Sequence, residues 1–222
     1  MSEVTTPRRR RRRTDADRSA AAILRAATEI LAAQPHASVE EIAVGAGVSR
    51  QTVYAHFRSR EVLVSAVIDA ITSEAVSEMD AAALDEGPAA EALLRLLDAS
   101  WRTLQRYPLL LSTLAKADGT EADDTRHATV LDRLGQVLTR GQECGEFARD
   151  LPATWLATSI VALGHAAGGE VAAGRMSLPD AAGALARSTL RLCGADPSTT
   201  DDLVDRRGGL GGPSPTATQA RQ

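Results

Sequence analysis

Two serines eleven residues apart, Ser38 and Ser49, with Gly45 and Gly47 between them, constrain this chain more than any other feature. Glu41 follows Ser38 at the spacing where a serine hydroxyl accepts from the third helical amide while the carboxylate reaches back to the serine's own amide. A helix therefore starts at Ser38, and it turns Val39, Ile42 and Ala43 inward. Gly45-Ala46-Gly47 stops it, because glycine takes the left-handed backbone that a tight turn requires. Ser49 caps a second short helix, which turns Val53 and Phe57 to one face and leaves Arg50, Gln51, Thr52 and His56 on others. Two short capped helices around a glycine turn, the second with polar groups outward, can present a helix to the DNA major groove.

The remainder also reads as helix. Alanine is abundant, aromatics are 3%, and no segment alternates in the manner of a strand, so the fold class expected is all-α with about nine helices. With 222 residues, 44% of them hydrophobic, the chain can bury a real core. A first helix begins at Asp15 or Asp17, carries Ile23, Ala27, Ile30 and Leu31, and ends at Gln34-Pro35-His36. Ser59 and Glu61 open a fourth, with Leu63, Val67, Ile68 and Ile71 as its stripe, expected to reach about Leu84. Val53, Phe57, Ile42, Ala43, Leu63 and Ile30 form the small core predicted for this head. Pro88 opens a fifth helix through Leu93, Leu94, Leu97, Trp101 and Leu104, followed by a short sixth at Leu109 to Ala115 and a polar loop at Asp118 to Asp124. A seventh carries Val130, Leu131, Leu134, Val137 and Leu138, and the last two cover about Ala153 to Ala173 and Pro179 to Cys193. The organisation expected is a disordered arm at 1–17, a three-helix head at 18–78, a helical body at 79–194 and a disordered Gly- and Pro-rich tail at 195–222.

Charge is unevenly placed. Residues 1–60 hold 11 arginines and 6 acids, a net of +5, while the rest of the chain carries −9. Phosphate attraction needs local rather than total positive charge, so a basic head on an acidic body suits a nucleic-acid binder. The run Arg8, Arg9, Arg10, Arg11, Arg12 and Arg13 is either a solvated tail or a cationic arm that enters a minor groove or tracks phosphates. No apolar run reaches the ~18 residues of a membrane span, and no secretory segment follows the arginines, so a cytoplasmic, nucleoid-associated protein with no membrane partner is expected. Cys144 and Cys193 lack any metal-ligand or disulfide spacing and read as small core residues. No metal or cofactor is expected. Nor is an enzyme: the chain has no phosphate loop, HExxH or nucleophile elbow, and His36, His56, His127 and His165 are scattered.

The segment IAVGAGVSRQTVYAHFRSREVL, Ile42 to Leu63, resembles the TetR/AcrR family of bacterial transcriptional regulators. It matches that family's small-residue turn, Val-Ser, Thr-hydrophobic-Tyr step, His-Phe, and basic residue followed by Glu and Leu. The resemblance covers about Arg18 to Val67; beyond it only helix count, length and GQECGEFARDLP are similar. Gln51 stands where the family often has glycine or proline, and Pro35-His36 replaces its Gly-aromatic step. The resemblance implies a helix-turn-helix at 38–57, with Arg50, Gln51 and Thr52 at base edges, Tyr54, His56, Arg60 and Ser38 on phosphates, and Ser49 among the DNA-binding set.

Such a head leaves the body to be explained, and two roles fit it. Small residues Ala157, Gly164, Ala167 and Gly168, with Ala182, Ala186 and Leu190, are expected to form a four-helix dimer seam, unless they only reflect an alanine-rich composition. Trp101, Leu104, Tyr107, Leu111, Leu114, Leu131, Leu134 and Trp155 are candidate walls of an effector pocket, with His127 and His165 as polar groups, though such residues more often form core. The function expected is a ligand-responsive repressor that binds a palindromic operator in double-stranded DNA as a homodimer and answers to an unknown small-molecule effector. The alternative is an effector-independent or architectural DNA-binding protein.

Overall fold

The computed structural model describes the backbone of residues 7–107 and 121–206, and the side chains of 16–107 and 127–206. Among the described residues the chain is all helix and divides into two units, 1–71 and 72–222. The division falls earlier than the expected boundary at 78, inside a helix that has no linker composition.

Unit 1 contains α1 (Pro7–Ala33), α2 (Val39–Gly45), α3 (Arg50–His56) and the first half of α4 (Arg60–Asp80). The stripe predicted for α1 is buried at Ile23, Ala27 and Leu31, while Ile30 stays half-buried. It packs on both α2 and α3. Val39, Ile42 and Ala43 of α2, Val53 of α3, and Leu63, Val67, Ile68 and Ile71 of α4 complete the core. Phe57, expected fully inside, is half-buried at the carboxyl end of α3. At Gly45 α2 comes close to α1, and a Cβ there would stand 2.6 Å from Ile30 Cδ1, the movable end of a half-buried side chain.

The expected arm needs correction. The backbone of α1 is helical from Pro7, so Arg8–Arg13 are its first turns rather than a disordered segment. Proline suits a first helical position, arginine is a good helix former, and no helix breaker follows until Pro35.

Unit 2 is built on α5 (Ala89–Arg106), which is buried nearly all round, from Ala89 through Leu93, Leu94, Leu96 and Leu97 to Trp101. It packs against α6 (Glu121–Glu143) and α8 (Leu178–Leu192); α7 (Ala153–Ala172) lies between α6 and α8, and α9 (Pro197–Arg206) lies on α8. The carbonyls of the turn before α5 are held by arginine side chains, Arg95 on Ala82, Ala83 and Glu86, and Arg140 on Leu84, Asp85 and Gly87. Between α6 and α7, Gly141 admits the ring of buried Phe147 so closely that a Cβ there would be 2.2 Å from Cδ2. Gln142 and Arg149 bond across the same turn, which organises GQECGEFARDLP.

Four further expectations change. The stretch Glu121–Asp124, expected as loop, is already helical in α6, and acids suit a helix amino terminus. The tail is not irregular throughout, because Asp196 accepts from the Ser198 amide at 2.9 Å and Pro197 opens α9, whose Val204 and Thr200 are buried. The residues expected at a dimer seam are largely interior to one chain: Ala157, Ala167, Gly168, Ala182, Ala186 and Leu190 are all buried among unit 2's own helices, and of the seven only Gly164 is half-buried with open space beside it. Cys144 is exposed rather than core, whereas Cys193 is buried, which pushes its thiol up to about 12. The proposed sixth helix at 109–115 lies outside the described residues.

Candidate nucleic-acid interface

The site is assembled from two helix caps. At Ser38 the capping box is complete: the Ser38 amide donates to Glu41 Oε2 at 2.7 Å and the Glu41 amide to Ser38 Oγ at 3.3 Å. The Ser38 amide, and after it the Ser38 hydroxyl, which donates to the same Oε2 at 2.8 Å, hold the Glu41 carboxyl below its ordinary value. Gly47 then makes the turn with φ of 68°, a backbone that suits glycine. At Ser49 the hydroxyl accepts from the Thr52 amide at 3.1 Å and shares a 2.8 Å bond with the Thr52 hydroxyl. Val53 anchors α3 at 1% exposure, so the helix is fixed at its start by the cap and at its middle by the core.

This anchoring leaves Arg50 and Gln51 exposed at the amino end of α3 and Tyr54 37% exposed one turn on. The Arg50 guanidinium lies over the Tyr54 ring, 5.4 Å from its centroid, and forms an ion pair with Glu40 of α2. Its pKa is raised, first by the hydrogen bond with Tyr54 and then by the nearby Glu40 carboxylate. Arg50 is thus fully cationic and pre-oriented, which suits bidentate bonding to a guanine edge; Gln51 can both donate and accept at an adenine.

Other expected contacts are differently employed. Thr52 is half-buried and its hydroxyl is engaged by the cap; the Ser38 amide and hydroxyl are likewise engaged by Glu41. His56 is half-buried in the last turn of α3. Arg60 points back into unit 1, donating from Nε to the Ala37 carbonyl at 3.2 Å and from one terminal nitrogen to Pro35 and Ala37 at 3.1 and 3.2 Å. It closes the turn that Pro35 opens. Side chains of Arg8–Arg13 lie outside the described residues.

Glu40 was not legible as a site residue, since nothing in sequence links it to Arg50 ten positions on; its one signal is an acid on the exposed face of a helix that fronts a basic one. Val44, 81% exposed at the end of α2, also carried no signal.

In unit 2 the candidate pocket residues disperse. Trp101 and Leu134 are core, Leu104 and Leu131 are half-buried, and Trp155 is 59% exposed. Tyr107 is buried and donates to Glu74 Oε2 at 2.9 Å; burial and that carboxylate raise its pKa. His127 and His165 do meet, Nε2 to Nε2 at 3.1 Å across α6 and α7. The Trp101 indole N–H meets no acceptor among the described residues. Leu111 and Leu114 lie outside them. No group of three or more His, Cys, Asp or Glu that could hold a metal stands among the described residues, and no described helix is long and apolar enough to cross a membrane.

Comparison with known proteins gives three findings. The family model for bacterial regulatory proteins of the tetR family matches residues 23–67. In sequence the chain is similar to the HTH-type transcriptional regulator EthR of Mycolicibacterium smegmatis, 40% identical over 82 residues, which are 36% of this chain and 38% of that protein. It spans less than half the length of the curated relatives it matches. In fold it is similar to RolR solved with resorcinol, at TM-score 0.66 and 20% identity over 86% of this chain and 94% of that one. It is also similar to FadR from Bacillus subtilis solved with stearoyl-CoA, at TM-score 0.62 and 20% identity over 79% and 98%. The sequence match is concentrated in unit 1, where residues 23–67 match the model for bacterial regulatory proteins of the tetR family, and the fold match extends into unit 2.

Proposed function

We propose that this protein is a sequence-specific DNA-binding repressor that acts as a homodimer on a palindromic operator and releases it when a small molecule binds unit 2. The observation that carries the reading is the pair of capped helices around Gly47, which holds Arg50, Gln51 and Tyr54 outward on a rigid seven-residue helix. Arg50 and Gln51 read base edges, and Tyr54 bonds phosphate. The helical arginine run at the start of α1 adds phosphate attraction. Ser49 and Thr52 serve chiefly by capping this helix, Ser38 by capping α2, and Arg60 by closing the turn between α1 and α2.

A single short helix touches too few bases for strong selectivity, which favours two heads on inverted half-sites. The face of α7 that remains exposed, Trp155, Thr158, Ala162 and Ala166, is our candidate for the association of two chains, in place of the buried alanines. The effector part is supported by the two structural neighbours, one solved with resorcinol and one with stearoyl-CoA, and by the buried Trp101 indole N–H, which meets no acceptor among the described residues of unit 2. We assign the protein to the cytoplasm at the nucleoid and give it no catalytic role.

Selecting fragments of the source genome on the purified chain tests this, followed by titration of each complex with small molecules. A few fragments sharing an inverted repeat, at least one of them released by a compound, are expected. Uniform binding of all fragments contradicts sequence-specific repression, and tight complexes that no compound weakens mark an effector-independent protein.

A further inference from the structure

We propose that Glu40 is a positioning residue for base recognition: its carboxylate reaches from α2 to the first residue of α3 and holds the Arg50 guanidinium over Tyr54, ready for a base edge and restrained from a phosphate. This rests on the reading of α3 as the recognition helix.

Three observations carry it. Glu40 and Arg50 form an ion pair between two helices that the glycine turn and two serine caps fix relative to each other. The same guanidinium stacks on Tyr54, 5.4 Å from the ring centroid, so it is held from two sides. Both partners remain largely exposed, with side chains 60% and 52% accessible, so water and salt screen the pair and its contribution to folding is small. What the pair does is reduce the orientations open to Arg50. A guanidinium has five N–H donors, so it can keep one bond to Glu40 and still present two to a guanine edge. If Arg50 swings to a phosphate instead, the Glu40 carboxylate is left unpaired beside a polyanion. That arrangement penalises sequence-blind poses and spares the specific one, the repulsive element from which discrimination is commonly built.

The test compares the full-length protein with Glu40→Gln, Arg50→Ala and the double variant, on the site selected by the unsubstituted chain and on random duplex, across a salt series. Glutamine preserves shape and removes charge. For Glu40→Gln, random-duplex binding should tighten several-fold, its log–log salt slope should steepen by up to about 0.9, the value for one more phosphate contact, and the ratio of selected to random affinity should fall by at least about five-fold. In the Arg50→Ala background the same change should alter that ratio less than about two-fold, since Glu40 acts through Arg50. A ratio for Glu40→Gln within about two-fold of the unsubstituted chain, or an equal loss with and without Arg50, overturns the proposal. If the unsubstituted chain selects no site at all, the recognition-helix reading falls and takes this one with it.

Discussion

Arg60 shows how far a residue's role depends on where its side chain is directed. Its guanidinium bonds the Pro35 and Ala37 carbonyls, so Arg60→Ala should first lower the stability of unit 1, by about 1–3 kcal/mol for charged donors lost from part-buried carbonyls. Arg60→Lys, which keeps the charge without the fork, should recover little; denaturant melts of both variants decide it, and full stability in the lysine variant would favour a phosphate contact. At Ser38 the prediction concerns pH. The Glu41 carboxyl is depressed below its ordinary 4.5 by the cap, so the stability it lends is complete above that value and is lost as pH falls through the lowered one. Glu41→Gln, which removes the charge, should therefore destabilise unit 1 at neutral pH, and the difference should shrink as pH falls through that lowered value. A difference that persists unchanged in acid contradicts the box. The serine caps were legible because a cap is written within four residues; Arg60 and Glu40 were not, because their partners lie 23 to 25 and ten residues away and only the fold brings them together.

At the scale of elements, periodicity located most helices but not which face of an alanine-rich helix turns inward. Ala157, Ala182 and Ala186 fit a seam between chains as well as a seam within one, and the structure places them in the latter. The Asp196-Pro197 start of α9 was a readable cap, overridden by the glycine-rich composition after it. The arginine run has a similar lesson. A helical backbone rises about 1.5 Å per residue against about 3.3 Å when extended, so the run reaches less than half as far along a duplex as a free arm. Deleting residues 1–13 should flatten the salt dependence of DNA binding, but by less than the ~5 in log–log slope that six neutralised phosphates would give. An unchanged slope would show that the run makes no phosphate contact. In unit 2, Gly141→Ala must displace the buried Phe147 ring and should cost about 1–3 kcal/mol, read by thermal or denaturant unfolding; an unperturbed melt would mean that the ring has another place to go.

For the whole molecule, exposed and buried positions of unit 2 yield two separable kinds of variant. Ala162→Arg, on the exposed face of α7, should leave the fold intact yet produce monomers by sedimentation and weaken operator binding. Ala186→Leu, at a buried position, should instead lower the melting temperature of unit 2. A dimer undisturbed by Ala162→Arg would move the interface elsewhere. If α3 reads DNA sequence, selection from a random duplex library by the full-length chain, run in parallel with Arg50→Ala and Gln51→Ala, should enrich an inverted repeat with half-site centres about 10–10.5 base pairs or a multiple apart, blurred at distinct positions by each substitution. No enrichment, or a site that both variants select unchanged, would show that α3 does not read sequence.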